Sequence, residues 1–261
     1  MIGKELIGRE SESVVLKIRL EEVRRFAEGI GIPFNGEVPV TYIGTLLHAD
    51  IPGLELTNAG MIHGEQKIAY RRSLSVGDSL TYKRRIKDVH ERTSMLEKIM
   101  LVVLETTGYD LTGELVFSCS STLITPVKGN KCLNNYQVSD RGPIREWEPN
   151  HVQIRQFAEA SGDFNPIYLD DTYARQVGLE GMVAHGTLTM GQLEAMLTEW
   201  IGKTGRISKL NVRFEQVVRP GDKITFCGSI RLRTEKVIVC DIVAYNKKEE
   251  IVLSGLAHIV N

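Results

Sequence analysis

The chain repeats itself, and the repeat limits what it can fold into. IAYRRSLSVGDSLTY, starting at Ile68, and VRFEQVVRPGDKITF, starting at Val212, share a pattern centred on Gly77-Asp78 and on Gly221-Asp222, 144 residues further on. Ile68 stands against Val212, Tyr70 against Phe214, Leu80 against Ile224 and Tyr82 against Phe226. In each copy an alternating strand pattern runs into a Gly-Asp turn and out into another strand. A repeat of this kind implies one supersecondary design built twice.

A second match lies upstream, where RRFAEGIG around Phe26 resembles RQFAEASGD around Phe157, 131 residues on. Val23, Phe26, Ala27 and Ile30 fall at i, i+3, i+4 and i+7, and Ile154, Phe157, Ala158 and Ser161 repeat that spacing, so both segments read as short amphipathic helices. The two offsets differ by 13, so the second copy holds 13 more residues between helix and turn.

Beyond each Gly-Asp turn come alternating, β-rich runs, such as KITFCGSIRL, KVIVCDIVAY and IVLSGLAHIV, which suit antiparallel strands. A sheet with one apolar face needs something packed on it. The segment from Thr189 to Trp200 offers Leu193, Met196, Leu197 and Trp200 on one helical face. Periodicity alone supports an α+β class. Residues 127–150, rich in Pro, Gly, Asn and charge, read as a linker between a first unit, 1–126, and a second, 151–261.

Composition narrows the function. A net charge of -1 over 261 residues argues against nucleic-acid binding, which needs a basic surface to neutralise phosphates. MIGKELIGRE lacks the apolar stretch of a secretion signal, and no segment reaches the roughly 18 apolar residues that cross a bilayer. The expectation is a cytoplasmic protein with no membrane partner. Cys119, Cys132, Cys227 and Cys240 are widely spaced, which suggests buried thiols and neither zinc nor a disulfide framework.

The 13 extra residues fall where the chain reads Ser161-Gly162-Asp163-Phe164-Asn165-Pro166-Ile167-Tyr168, followed by Ala184-His185-Gly186. This resembles the S-G-D-x-N-P-x-H and A-H-G motifs of the MaoC-like (R)-specific enoyl-CoA hydratases in their two-copy form, and the likeness spans nearly the whole chain. The resemblance implies a double hot-dog fold, each copy an antiparallel sheet wrapped around a helix and the first copy degenerate. It also implies hydration of a trans-2-enoyl-CoA, or the reverse dehydration, without a cofactor, on an acyl-CoA or acyl-carrier thioester. Two copies in one chain form a pseudo-dimer, and a homodimer of such units is the further expectation. The family's catalytic pair is the Asp and the His of the motif. Asp163 carries over, while Tyr168 stands where the histidine is expected.

Each residue has a plainer reading beside its chemical one. Asp163 is either the carboxylate base or a turn residue, since Gly-Asp-x-Asn-Pro makes a turn in any protein. Tyr168 either donates a hydrogen bond to water or packs under the loop. Asn165 either fixes the loop before Pro166 or touches substrate. The N–H groups near Gly186 and Thr187 sit at the start of the Leu193 helix and suit a developing enolate oxygen, though Gly186 is equally explained by tight packing. His185 is either a structural histidine or a replacement for the missing one. In the first copy Ile32 matches Asp163, and His63-Gly64 survives with no helical pattern behind it. KRRIKDVHER around Arg84 reads as a solvated strand face, with coenzyme A phosphates as its other use. A non-catalytic acyl-thioester binder or accessory subunit, and a hot-dog thioesterase, are the competing functions.

Overall fold

The Gly-Asp turns are built alike in both copies. Gly77 (φ 97°) and Gly221 (φ 84°) occupy the left-handed region that favours glycine. The carboxylates beside them close the turns, Asp78 accepting from Ser75 N at 3.0 Å and Asp222 from Arg219 N at 2.7 Å. The structure, a computed structural model, describes residues 3–46, 49–54, 61–93, 98–124, 142–202 and 205–260.

Before the first turn come strand β1 (Val14–Lys17), helix α1 (Leu20–Gly29), a 3-10 turn (Val40–Thr45) and β2 (Ile62–Tyr70). After it come β3 (Ser79–Thr93), β4 (Lys98–Tyr109) and β5 (Leu115–Ile124). The second half repeats the plan with β6 (Ile144–Trp147), α2 (His151–Ser161), a 3-10 turn (Pro166–Tyr168), α3 (Asp171–Gln176), α4 (Gly186–Ile201), β7 (Arg206–Phe214), β8 (Ile224–Arg233), β9 (Val237–Asn246) and β10 (Ile251–Val260). All pair antiparallel in one ten-stranded sheet, ordered β1-β3-β4-β5-β2-β7-β10-β9-β8-β6. Read from its two ends, the order is the same, and the copies meet where β2 pairs with β7, Gln66 opposite Val212.

The expected helices are present, and their apolar stripes are the buried ones. Val23, Phe26 and Ala27 of α1 face Ile154, Phe157 and Ala158 of α2, with the Phe26 and Phe157 rings 5.8 Å apart. Helix α4 starts at Gly186, earlier than Thr189, and is buried from Thr187 to Leu197 because the second half's sheet curls around it. Gly191 lets the first half cross it closely: a Cβ there would lie 2.6 Å from the Ile30 side chain. Gln192 donates to the Ile30 carbonyl at 2.6 Å, and Glu194 accepts from Thr41 N at 2.9 Å. Burial raises the Glu194 pKa, yet three donors from Val40 and Thr41 satisfy the carboxylate.

The copies differ in one element. Among the described residues the first half has no counterpart of α4, only the short turn Val40–Thr45, so its sheet wraps around space rather than around a helix. This is the sense in which the first copy is degenerate. The segment read as linker lies outside the described residues as far as 141, while its last part forms β6 against β8. Four residues are too few to show a period, which is why the sequence reads as loop there. Cys119 and Cys240 are buried and Cys227 is half-buried; Cys132 lies outside the described residues. No helix among the described residues is long and apolar enough to cross a membrane.

Candidate active site

Helix α2 ends at Ser161, and Gly162 in the left-handed conformation (φ 73°) turns the chain into the motif loop. Asn165 caps the next turn, its Oδ1 accepting from Ile167 N at 3.3 Å, and Pro166 opens that turn. Between these fixed points Asp163 accepts from Asn165 N at 3.3 Å. Burial raises the Asp163 pKa to about 6, against the pull of the Asn165 N–H. A carboxylate so placed is ionised at neutral pH yet close enough to neutrality to exchange a proton.

His185 precedes α4 and is fully buried. Its Nε2 lies 2.9 Å from the Asp163 carbonyl oxygen, and its ring stacks on Tyr168 (centroids 3.7 Å apart) and meets Phe157 edge-on at 5.0 Å. Burial drives its pKa down to about 3, so it is a neutral imidazole donating Nε2–H to that carbonyl. Held on three sides, His185 fixes the Asp163 loop. Tyr168 is itself buried, and burial together with the Asp163 charge holds its phenol well above its ordinary pKa of 10. It can donate a hydrogen bond but cannot act as a base.

Asp163, Asn165 and Tyr168 line one cavity of about 680 Å³. The rest of its wall comes from the first half: Ile43, Leu46, Ile51, Met61, Leu104 and Leu123 give it an apolar body, and Thr106, Cys119 and Ser121 add a few polar groups. His185, Gly186 and Thr187 are not among the lining residues; they stand behind the wall, with Thr187 buried and Gly186 against His63 and Phe214. His63 does line the cavity. Ile32, the first-half match to Asp163, lines a separate cavity on the other side, beside Glu194.

Two features of this wall run against the sequence reading or escaped it. Arg84 is buried at 7% exposure and lines the cavity, donating to the Ala49 carbonyl at 3.3 Å, so KRRIKDVHER is not a uniformly solvated face. On β3 side chains alternate, and Leu80, Tyr82, Arg84 and Ile86 point inward while Lys83, Arg85 and Lys87 point outward to Glu10 and Glu105. The charge run hid an inward position whose period was there to be read. His63 entered the reading only as a relic of the first copy.

Residues 134–250 match the family model described as MaoC like domain, and residues 35–119 match that described as FAS1-like, dehydratase domain region. The 3-hydroxyacyl-thioester dehydratase X of Mycobacterium tuberculosis is 24% identical over 206 residues, which cover 74% of this chain and 73% of that protein. The chain spans between 5% and 25% of the length of two long curated relatives that it also matches. Among solved structures, a MaoC-like dehydratase from Phytophthora capsici superposes with a TM-score of 0.76 at 18% identity, covering 100% of this chain and 98% of that one. A Mycobacterium tuberculosis protein described as having a double hotdog fold reaches 0.68 at 11% identity, covering 97% and 96%. These likenesses establish the fold.

Proposed function

We propose that the chain is a MaoC-like dehydratase, a reading supported by the family-model matches over residues 134–250 and 35–119, and that it adds water to a trans-2-enoyl thioester, or removes it in reverse, at the Asp163 loop. The observation that carries this reading is a half-buried carboxylate, with a pKa raised to about 6, at an apolar cavity and next to the start of a buried helix. The acyl chain enters the first half's cavity. The thioester oxygen docks on the side of the cavity nearest the start of α4, where the helix dipole, acting through the wall, favours negative charge.

Asp163 takes a proton from water as the water oxygen bonds to C3. The C2=C3 π electrons move onto the thioester, and the enolate oxygen stays on the α4 side of the cavity. The proton on Asp163 then passes to C2 as the thioester carbonyl reforms. No cofactor enters. Tyr168, always a phenol, donates to water or substrate. The same proposal keeps two units, 1–126 and 151–261, with β6 from the end of the intervening segment completing the second, and the mirrored strand order supports that reading.

Because the base must be ionised, the sign of the pH dependence is fixed. Hydration of trans-2-butenoyl-CoA is expected to be level above neutrality and to fall through a pKa of about 6 as Asp163 protonates, losing about tenfold per pH unit in kcat/KM below it. A profile level down to about pH 4.5 contradicts Asp163 as the base. A second reading, a non-catalytic acyl-thioester binder, is favoured by the tyrosine at position 168. It predicts binding of the same thioester with no loss of its conjugated absorbance.

A further inference from the structure

His63 lines the cavity together with Asp163 and Tyr168, although it belongs to the other half of the chain. Its Nδ1 is shut off from solvent without a partner. A buried ring nitrogen without a hydrogen-bond partner is an unusual state for a polar atom in a protein. A Cβ placed on Gly186 would lie 3.2 Å from the His63 Cβ, so the imidazole springs from the wall at the amino end of α4, beside the thioester oxygen's dock. The Phe214 ring meets it edge-on at 6.3 Å. The β2–β5 register shifts between His63 and Glu65, and such a bulge re-aims the side chain next to it. The other nearby imidazole, His185, is committed to the Asp163 carbonyl and the Tyr168 ring.

We propose that His63 is a catalytic residue of the second half's site, supplying from the first half the imidazole that position 168 lacks. The proposal rests on the hydratase reading above. Burial beside Arg84 lowers the His63 pKa to about 4, so the ring is neutral and able to accept a hydrogen bond. With Nδ1 closed off and carrying the ring proton, Nε2 accepts one from the attacking water while Asp163 accepts the other hydrogen as a proton. The water oxygen is thereby turned toward C3. His63 keeps its own proton count throughout, and the atoms added are one H at C2 and one OH at C3.

The test measures hydration of trans-2-butenoyl-CoA by the full chain as wild type, His63→Ala, Tyr168→His, the double variant and Asp163→Asn. His63→Ala is expected to lose about 100-fold in kcat with KM within about threefold of wild type. The double variant is expected to regain about tenfold or more, since an imidazole at position 168 again faces the water. A wild-type kcat in folded His63→Ala overturns the proposal, and so does a loss that the double variant fails to recover, which assigns the loss to packing. If the alanine variant does not melt cooperatively, His63→Gln replaces it, with an expected loss of about tenfold and an unchanged rate as the overturning result. Asp163→Asn inactive beside a fully active His63→Ala leaves the hydratase reading standing and removes only this proposal. A wild type that hydrates no substrate removes both.

Discussion

Asp163→Asn is expected to lower the rate of enoyl-thioester hydration on the order of 1000-fold while leaving the fold intact. The amide keeps an oxygen to accept from Asn165 N, and the His185 bond goes to the Asp163 backbone carbonyl, so the loop loses no anchor. What disappears is the only group in the motif loop able to take a proton from water near neutral pH, because the Tyr168 phenol is held well above its ordinary pKa. Paired thermal melts and steady-state rates check this. A near-normal rate in the folded variant removes Asp163 from the chemistry.

Phe157→Ala is expected to have the largest effect on stability. Phe157 is fully buried, packs on Phe26 of the other copy at 5.8 Å and meets His185 at 5.0 Å, so its loss leaves a void at the junction of α1, α2 and the motif loop. Truncating a buried phenylalanine costs about 3–5 kcal/mol. For a chain of this size that lowers Tm by about 10 °C. Phe164→Ala is the control, since Phe164 is 57% exposed, and it should shift Tm by less than about 2 °C. Equal melts for the two variants contradict the account of the core.

Much of this was legible in the chain. The buried residues of α1 and α2 are the ones their i, i+3, i+4 spacing selects, and the two Gly-Asp turns close with the same carboxylate-to-amide bond. Local chemistry writes such features into a few consecutive residues. The motif loop was legible for the same reason. The cavity was not, because among the described residues no first-half helix stands where α4 stands in the second half, and its wall is assembled from strands far apart in sequence. Arg84 was obscured by its charged neighbours on β3, although alternation places it with Tyr82 and Ile86. The neighbourhood of His63 and Gly186 exists only after the halves join at β2 and β7.

Mixing the purified chain with trans-2-butenoyl-CoA and following both the conjugated thioester absorbance and free thiol tests the central claim most directly. The account predicts that the absorbance falls to a hydration equilibrium with no thiol released, because water adds across C2=C3 and the thioester survives. Release of free CoA thiol, or a bound thioester whose absorbance does not change, contradicts it.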